Sequence, residues 1–317
     1  MPTSESGLLV LGGDDVGSLL SGPQLLEALA RALQAYSAGE ADSPPRIAAL
    51  APKGLLAAMP AYLPGQGLAA KLIAVFPGNP TQGRPSHQGL VALFDDRDGR
   101  PLCVLDAKQI TAVRTAAVSA LSVRELARPG AAVLAVLGSG EQARSHLKLL
   151  ATVGEFSELR LASRNPETAA ALAAELPGCR LLGSFEEAVR GADVVACCTG
   201  SPDPVVDWSW LKAGAHLVSV GMGAELDPAI VQNGRLFVEW RGAVSNQPPA
   251  GAVELQGLDP EMATELGEVL AGTRPGRLDP GEVTVFKSTG LGVEDAATAL
   301  VVYEAARQKG RGTLVAW

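Results

Sequence analysis

The stretch Val133-Leu-Ala-Val-Leu-Gly138-Ser-Gly140-Glu-Gln142-Ala143 constrains this chain more than any other. An apolar run suited to a buried strand leads directly into G-x-G-x-x-A and then into a helical pattern. In such a turn Gly138 permits the tight reversal and Gly140 lets the backbone approach a pyrophosphate. Small Ala143 lets the following helix pack closely on the strand. The free N–H groups at the helix start then face the anion. A second strand, Leu159-Arg-Leu-Ala-Ser163, follows at the distance a βαβ unit requires. The order strand, turn, helix, strand predicts a dinucleotide site that includes Gly138, Gly140, Gln142 and Ala143.

The end of the second strand bears on which dinucleotide it is. An acid there accepts hydrogen bonds from the ribose 2′-OH of NAD, whereas NADP sites replace the acid and bring in arginine. This chain has Ser163-Arg164-Asn165, with no carboxylate to repel a 2′-phosphate and a guanidinium able to pair with it. The plainer alternative is a solvated loop arginine. NADP(H) is the expected cofactor, and NAD(H) is the alternative.

At 317 residues the chain is long enough for two domains. A net charge of −8 argues against an extended nucleic-acid partner. No apolar run is long enough to span a bilayer, and the polar segment Met1-Pro-Thr-Ser-Glu-Ser6 lacks a signal-peptide pattern, so a cytoplasmic protein is expected. Cys103, Cys179, Cys197 and Cys198 show no C-x-x-C spacing, and vicinal Cys197-Cys198 at the end of an apolar strand reads as buried thiols. His87, His146 and His216 stand apart, so no metal is expected.

An amphipathic helix is predicted over Gly22–Tyr36, with Ser21 as a candidate N-cap. Between Arg46 and Asp106, Gly, Pro and Asp punctuate short strands at 46–50, 55–60, 68–76, 89–95 and 102–106, an antiparallel meander. A helix from Asp106 through Arg114 and Thr115 ends before Arg128-Pro-Gly130. Strands and helices then alternate, with later strands at 194–198, 216–220 and 235–239. The last helix, 292–307, is apolar on more than one side and should be largely buried, although spacing does not say on which domain. The fold class is α/β: a Rossmann nucleotide-binding domain plus a smaller α+β domain.

Three basic residues stand in apolar or small-residue surroundings. Lys71 shares a strand face with Ile73 and Val75, where enclosure would lower its pKa and suit it to proton transfer. Arg46 follows Pro44-Pro45, and Arg114 lies on a helix between Thr111 and Thr115. Two guanidinium forks in one cleft would suit a carboxylate. Spacing alone leaves open the ordinary reading of solvated or snorkelling side chains. His87 reads as a structural loop residue.

Several segments together carry a resemblance: Met59-Pro-Ala-Tyr62, Lys71, Pro85-Ser-His-Gln-Gly89, Leu105-Asp-Ala107, Ile110-Thr-Ala-Val-Arg114-Thr-Ala-Ala-Val-Ser-Ala120, the glycine turn with Arg144, Gly191-Ala-Asp-Val-Val195, Gly214-Ala-His216 and Val285-Phe-Lys-Ser-Thr-Gly-Leu-Gly-Val-Glu-Asp295. In this order the chain resembles the ornithine cyclodeaminase/mu-crystallin family over nearly its whole length. The resemblance implies a homodimer built through the first domain, a nicotinamide bound by the second, and a site between them for a small α-amino or α-imino acid. The expected division is a substrate-binding and dimerisation domain at 1–115, completed by 293–317, and a Rossmann domain at 116–292. Arg46 and Arg114 look like the family's substrate-carboxylate ligands and Lys71 like its active-site lysine. In members that reduce ketimines, hydride passes from the nicotinamide to the C=N carbon, and Lys71 would hold or protonate the nitrogen. Thr199-Gly-Ser201 looks like the loop at the nicotinamide ribose, and Ser288-Thr-Gly-Leu291 like the segment near the ring.

One departure bears on the activity. Many members carry a longer loop before an E-L-D triplet, and in ornithine cyclodeaminases it supplies an aspartate for the distal amine. Here Gly221-Met-Gly-Ala224 leads directly to Glu225-Leu-Asp227, and Asp227 matches the structural triplet aspartate. Together with Ser163-Arg164 this points to an NAD(P)H-dependent reductase of small cyclic ketimino acids or related imino and oxo acids. The alternatives are an NAD-dependent ornithine cyclodeaminase, an alanine dehydrogenase-like activity and a non-catalytic small-ligand binder.

Overall fold

A computed structural model describes residues 7–20 and 22–317. The expectations for Ser21 and for Met1–Ser6 lie outside the described residues. The chain divides into two units, one made of the residues up to Arg114 with Leu291–Trp317, the other of Thr115–Gly290. Its strands in chain order are β1 (Leu8–Leu11), β2 (Ile47–Ala51), β3 (Gly54–Leu63), β4 (Gly67–Val75), β5 (His87–Phe94), β6 (Pro101–Asp106), β7 (Val133–Leu137), β8 (Glu158–Ala162), β9 (Cys179–Leu181), β10 (Val194–Cys197), β11 (His216–Ser219), β12 (Arg235–Val238), β13 (Thr264–Glu265), β14 (Thr284–Lys287) and β15 (Thr313–Val315).

The first unit is one sheet in the order β15-β1-β6-β5-β4-β3-β2. Its β2 to β6 segment is the antiparallel meander the turn residues predict. Sequence reading missed β1, parallel to β6, and β15, antiparallel to β1, because such short strands carry too few residues for a period to show. His87 begins β5 and is exposed, a correction to the loop assignment. Alternation sends Ala57, Met59, Ala61 and Leu63 of β3, Ala69 and Lys71 of β4, and Val91 and Leu93 of β5 to the buried face. The helix Gly292–Lys309 covers this face over β3, β4 and β5 and packs against the helix Gly22–Ser37. The opposite face leaves Leu56, Tyr62, Leu68, Leu72 and Leu90 exposed.

The second unit is a parallel sheet in the order β13-β12-β14-β11-β10-β7-β8-β9. The strand order reverses between β7 and β10, the place where open α/β sheets take ligands at the carboxyl ends of their strands. Central β14 was absent from the sequence reading: a lysine interrupts its apolar run, and a long irregular stretch separates it from β12. Asp193 ties together the amino ends of β7 and β10. Its carboxylate accepts from the N–H groups of Ala132 and Val133, both at 2.9 Å, and meets Arg128 and Lys212.

The helix Ala107–Leu126 follows β6 and is buried on nearly every side over its second half. Its polar residues there have partners: Ser119 Oγ lies 2.8 Å from His146 Nε2, and Ser122 Oγ lies 3.2 Å from His216 Nε2. His216 Nδ1 is 2.9 Å from Thr284 Oγ1. Burial lowers the imidazole of His146 to about 4 and that of His216 to about 3, so both stand neutral. Cys197 and Cys198 are buried thiols whose pKa burial raises well above the ordinary value.

Candidate active site

In the first unit, the helix Gly292–Lys309 approaches β3 so closely that a Cβ on Gly292 would lie 2.7 Å from the Pro60 carbonyl oxygen. Gly292 N–H also donates to Ser43 Oγ at 3.0 Å. This contact fixes the first turn of the helix, where Glu294 and Asp295 sit, acids that a helix N-terminus favours. Asp295 lies 2.8 Å from Lys71 Nζ and 3.3 Å from Arg114 Nε. Glu294 Oε2 accepts from Arg114 Nη1 at 2.6 Å. Lys71 is 2% exposed, and burial lowers its pKa to about 8. Asp295 opposes that shift, and the positive charges of Arg114 and Arg46 add to it. Half-buried Arg46 stands one residue before β2, not in it as the pattern predicts. Lys71, Arg114 and Arg46 thus belong to one electrostatic cluster. It contains an ammonium that can give up a proton near neutral pH and two guanidinium groups able to attract an anion.

In the second unit, Gly138 closes β7 with φ +114, where a Cβ would lie 2.6 Å from the Cys198 carbonyl oxygen. Only glycine meets both demands without strain. Gly140 is the extended N-cap of the helix Glu141–Val153, and a Cβ built there meets nothing within 4 Å. Ala143 is fully buried against the sheet. Half-buried Gln142 follows the turn, and its carbonyl lies 2.7 Å from His146 Nδ1. This cradle of open space before a helix N-terminus fits a dinucleotide pyrophosphate. At the end of β8, Ser163 Oγ lies 2.8 Å from Ser139 Oγ, and Arg164 is exposed. Asn165 caps the helix Pro166–Ala174.

Buried glutamates fasten the other expected cofactor segments. Glu225 accepts from Thr199 N–H and Oγ, both at 2.6 Å, from Gly200 N–H at 3.1 Å, and from Ser219 Oγ and Gly221 N–H, both at 2.8 Å. Ser201 is buried beside this loop, its N–H on Thr199 Oγ1 at 3.1 Å. Lys287 donates to the Gly221 carbonyl at 2.7 Å and pairs with Glu254 at 2.8 Å. Glu239 accepts from Ser288 Oγ at 2.5 Å and from the N–H groups of Thr289 and Gly290. Leu291 is the buried N-cap of the helix Gly292–Lys309 in the first unit. Asp227 caps the helix Pro228–Asn233 through Ala229 N–H at 2.7 Å, the structural position its triplet indicates.

Sequence reasoning gave no role to Glu294, Asp295, Glu239 or Lys287, although all but Glu239 lie in a quoted motif. The signal was present: adjacent acids in the first turn of an otherwise apolar helix, and a lysine inside an apolar strand, must find partners when buried. Among the described residues no group of three or more His, Cys, Asp or Glu could hold a metal ion, and no helix is long and apolar enough to cross a membrane.

The chain matches the ornithine cyclodeaminase/mu-crystallin family over residues 9–310. The ketimine reductase mu-crystallin of Mus musculus is 39% identical over 258 residues, 80% of this chain and 80% of its own length. Among solved structures, Thermococcus litoralis Delta(1)-pyrroline-2-carboxylate reductase in complex with NADH and L-proline aligns with a TM-score of 0.91 at 31% identity, covering 96% of this chain and 99% of that one. An archaeal alanine dehydrogenase dimer with bound NAD aligns with a TM-score of 0.86 at 32% identity, covering 98% of this chain and 99% of that one. Fold and relatives define an oxidoreductase of the Rossmann type acting at a carbon–nitrogen bond. The chain belongs to the ornithine cyclodeaminase/mu-crystallin family.

Proposed function

We propose that this protein reduces small cyclic ketimino acids, with NADPH as its preferred cofactor. The observation that carries the reading is the buried cluster of Lys71, Arg114 and Asp295 with Arg46 nearby. Arg46 and Arg114 hold the substrate carboxylate, which places the imine nitrogen at Lys71. Hydride for the imine carbon would come from a reduced nicotinamide held by the second unit. Lys71 gives its proton to the nitrogen, so C=N becomes CH–NH and the ammonium is left neutral. Asp295 holds Lys71 in place and favours its protonated form between turnovers. Thr199, Ser201 and Ser288, fastened through Glu225 and Glu239, line the nicotinamide end of the cofactor.

The loop Gly221–Ala224 contains no carboxylate for a distal amine, and the end of β8 contains none for a ribose 2′-OH. Both observations favour the reductase over the cyclodeaminase. The exposed apolar face bearing Leu56, Leu68, Leu72 and Leu90 supports a homodimer through the first unit. Its occupant is a second copy of the chain, as the matched alanine dehydrogenase is a dimer.

The test is cofactor oxidation followed with five- and six-membered ring imines bearing a carboxylate, with 2-oxo acids plus ammonium, and with ornithine plus NAD. Imine-dependent oxidation of NADPH is expected. Ammonia release from ornithine, or turnover of no imine, would overturn the reading.

A further inference from the structure

Lys287 closes β14 inside the parallel sheet with its side chain 1% exposed, and the proposed reaction does not use it. Its Nζ lies 2.7 Å from the Gly221 carbonyl oxygen, 3.0 Å from Ser219 Oγ and 2.8 Å from Glu254 Oε1. An ammonium has three N–H donors, and these three oxygens engage them all. What Lys287 can do is hold its partners in place.

Those partners reach both loops at the carboxyl ends of β10 and β11. Gly221 is gripped from two sides, its carbonyl by Lys287 and its N–H by Glu225 at 2.8 Å. Ser219 accepts from Lys287 and donates to the same Glu225 oxygen at 2.8 Å. The other oxygen of Glu225 accepts from Thr199 and Gly200. The chain of contacts runs from Glu254 through Lys287, Ser219 and Glu225 to Thr199. The backbones of the two loops also touch: a Cβ on Gly223 would collide with the Ser201 carbonyl oxygen. Glu225 is fully buried and Glu254 is 4% exposed, so a contact that opens leaves a charge without water to replace the lost partner.

We propose that Lys287, paired with Glu254, is a positioning residue that holds the loop at Gly221 against Thr199 and Ser201 and so shapes the nicotinamide end of the cofactor site. The proposal rests on the reading of Thr199 and Ser201 as cofactor contacts. It acts through the backbone of Gly221, with no contact between Lys287 and the cofactor.

The test removes the pair together, Lys287→Met with Glu254→Met, a change that folds tolerate better than one orphaned buried charge. NADPH affinity should fall roughly tenfold, while affinity for 2′,5′-ADP, which lacks the nicotinamide half, changes by less than about twofold. Glu254→Gln alone keeps the shape of the side chain and should give the same pattern at about threefold. Parallel loss of both ligands, or loss of neither, overturns the proposal. Amide hydrogen exchange of the ligand-free protein is a second readout: it should quicken at Thr199, Gly200 and Gly221 and stay unchanged through β7. Unchanged exchange at those three amides, or an equal rise through β7, overturns it as well. If the wild type binds no dinucleotide, the cofactor reading fails separately, and the exchange pattern alone decides whether Lys287 holds the loops.

Discussion

At the residue scale, Lys71 combines deep burial with three charged neighbours. Its lowered pKa of about 8 means the ammonium is present at neutral pH and is lost as pH rises through that value. A reaction that needs its proton should therefore show kcat/KM falling above about pH 8. Lys71→Met keeps the bulk of the stem, so folding and NADPH binding should persist while turnover falls by about 10²–10⁴-fold. Wild-type turnover in that variant would make Lys71 purely structural. Arg164 is a simpler case, exposed at the end of β8 with no carboxylate beside it in sequence. Arg164→Ala should lower NADPH affinity roughly tenfold and leave NADH affinity nearly unchanged. Titration of both cofactors decides, and equal wild-type affinities would refute the preference. Lys71 and Arg164 stand out in the sequence as candidates because each breaks a local pattern, a lysine on an apolar strand face and an arginine where an acid usually stands.

At the element scale, the turn after β7 was also legible, since its constraints lie within a few residues of one another. The tertiary structure adds that Gly138 meets the backbone of Cys198, at the end of β10. Gly138→Ala would combine a left-handed φ with a carbonyl oxygen 2.6 Å from the new Cβ. It should destabilise the fold by about 1–3 kcal/mol and weaken cofactor binding. Urea denaturation and NADPH titration measure the two effects, and unchanged values in both would contradict the close approach. The partners of the buried acids were not legible. Glu294 and Asp295 reach Arg114 and Lys71 across large sequence separations, through a helix whose placement depends on Gly292 meeting β3. Propensity and period describe neighbours along the chain, and these partners are not neighbours.

At the scale of the whole molecule, two neutral histidines make stability depend on pH. His146 and His216 titrate near 4 and near 3 when folded, against an ordinary value of 6.5. Above pH 6.5 neither affects stability, because both are neutral folded and unfolded. Below it the unfolded chain takes up protons that the fold refuses. Stability should therefore fall with pH from about 6.5 toward 4, by up to roughly 1.4 kcal/mol per pH unit for each histidine. Urea midpoints at pH 7.5, 6.0 and 5.0 test this, and a flat profile would show that the two rings are not sealed from water. His216→Asn should flatten the slope by about half. The sequence by itself determined the Rossmann turn, the meander, the α/β class and the cations worth suspecting, because each depends on residue type at short spacing. Only the tertiary structure decided that β14 lies inside the parallel sheet, that β1 and β15 extend the other sheet, and that Asp295, Arg114 and Arg46 act on Lys71. Burial and charge pairing act between residues far apart along the chain, and folding alone brings them within range.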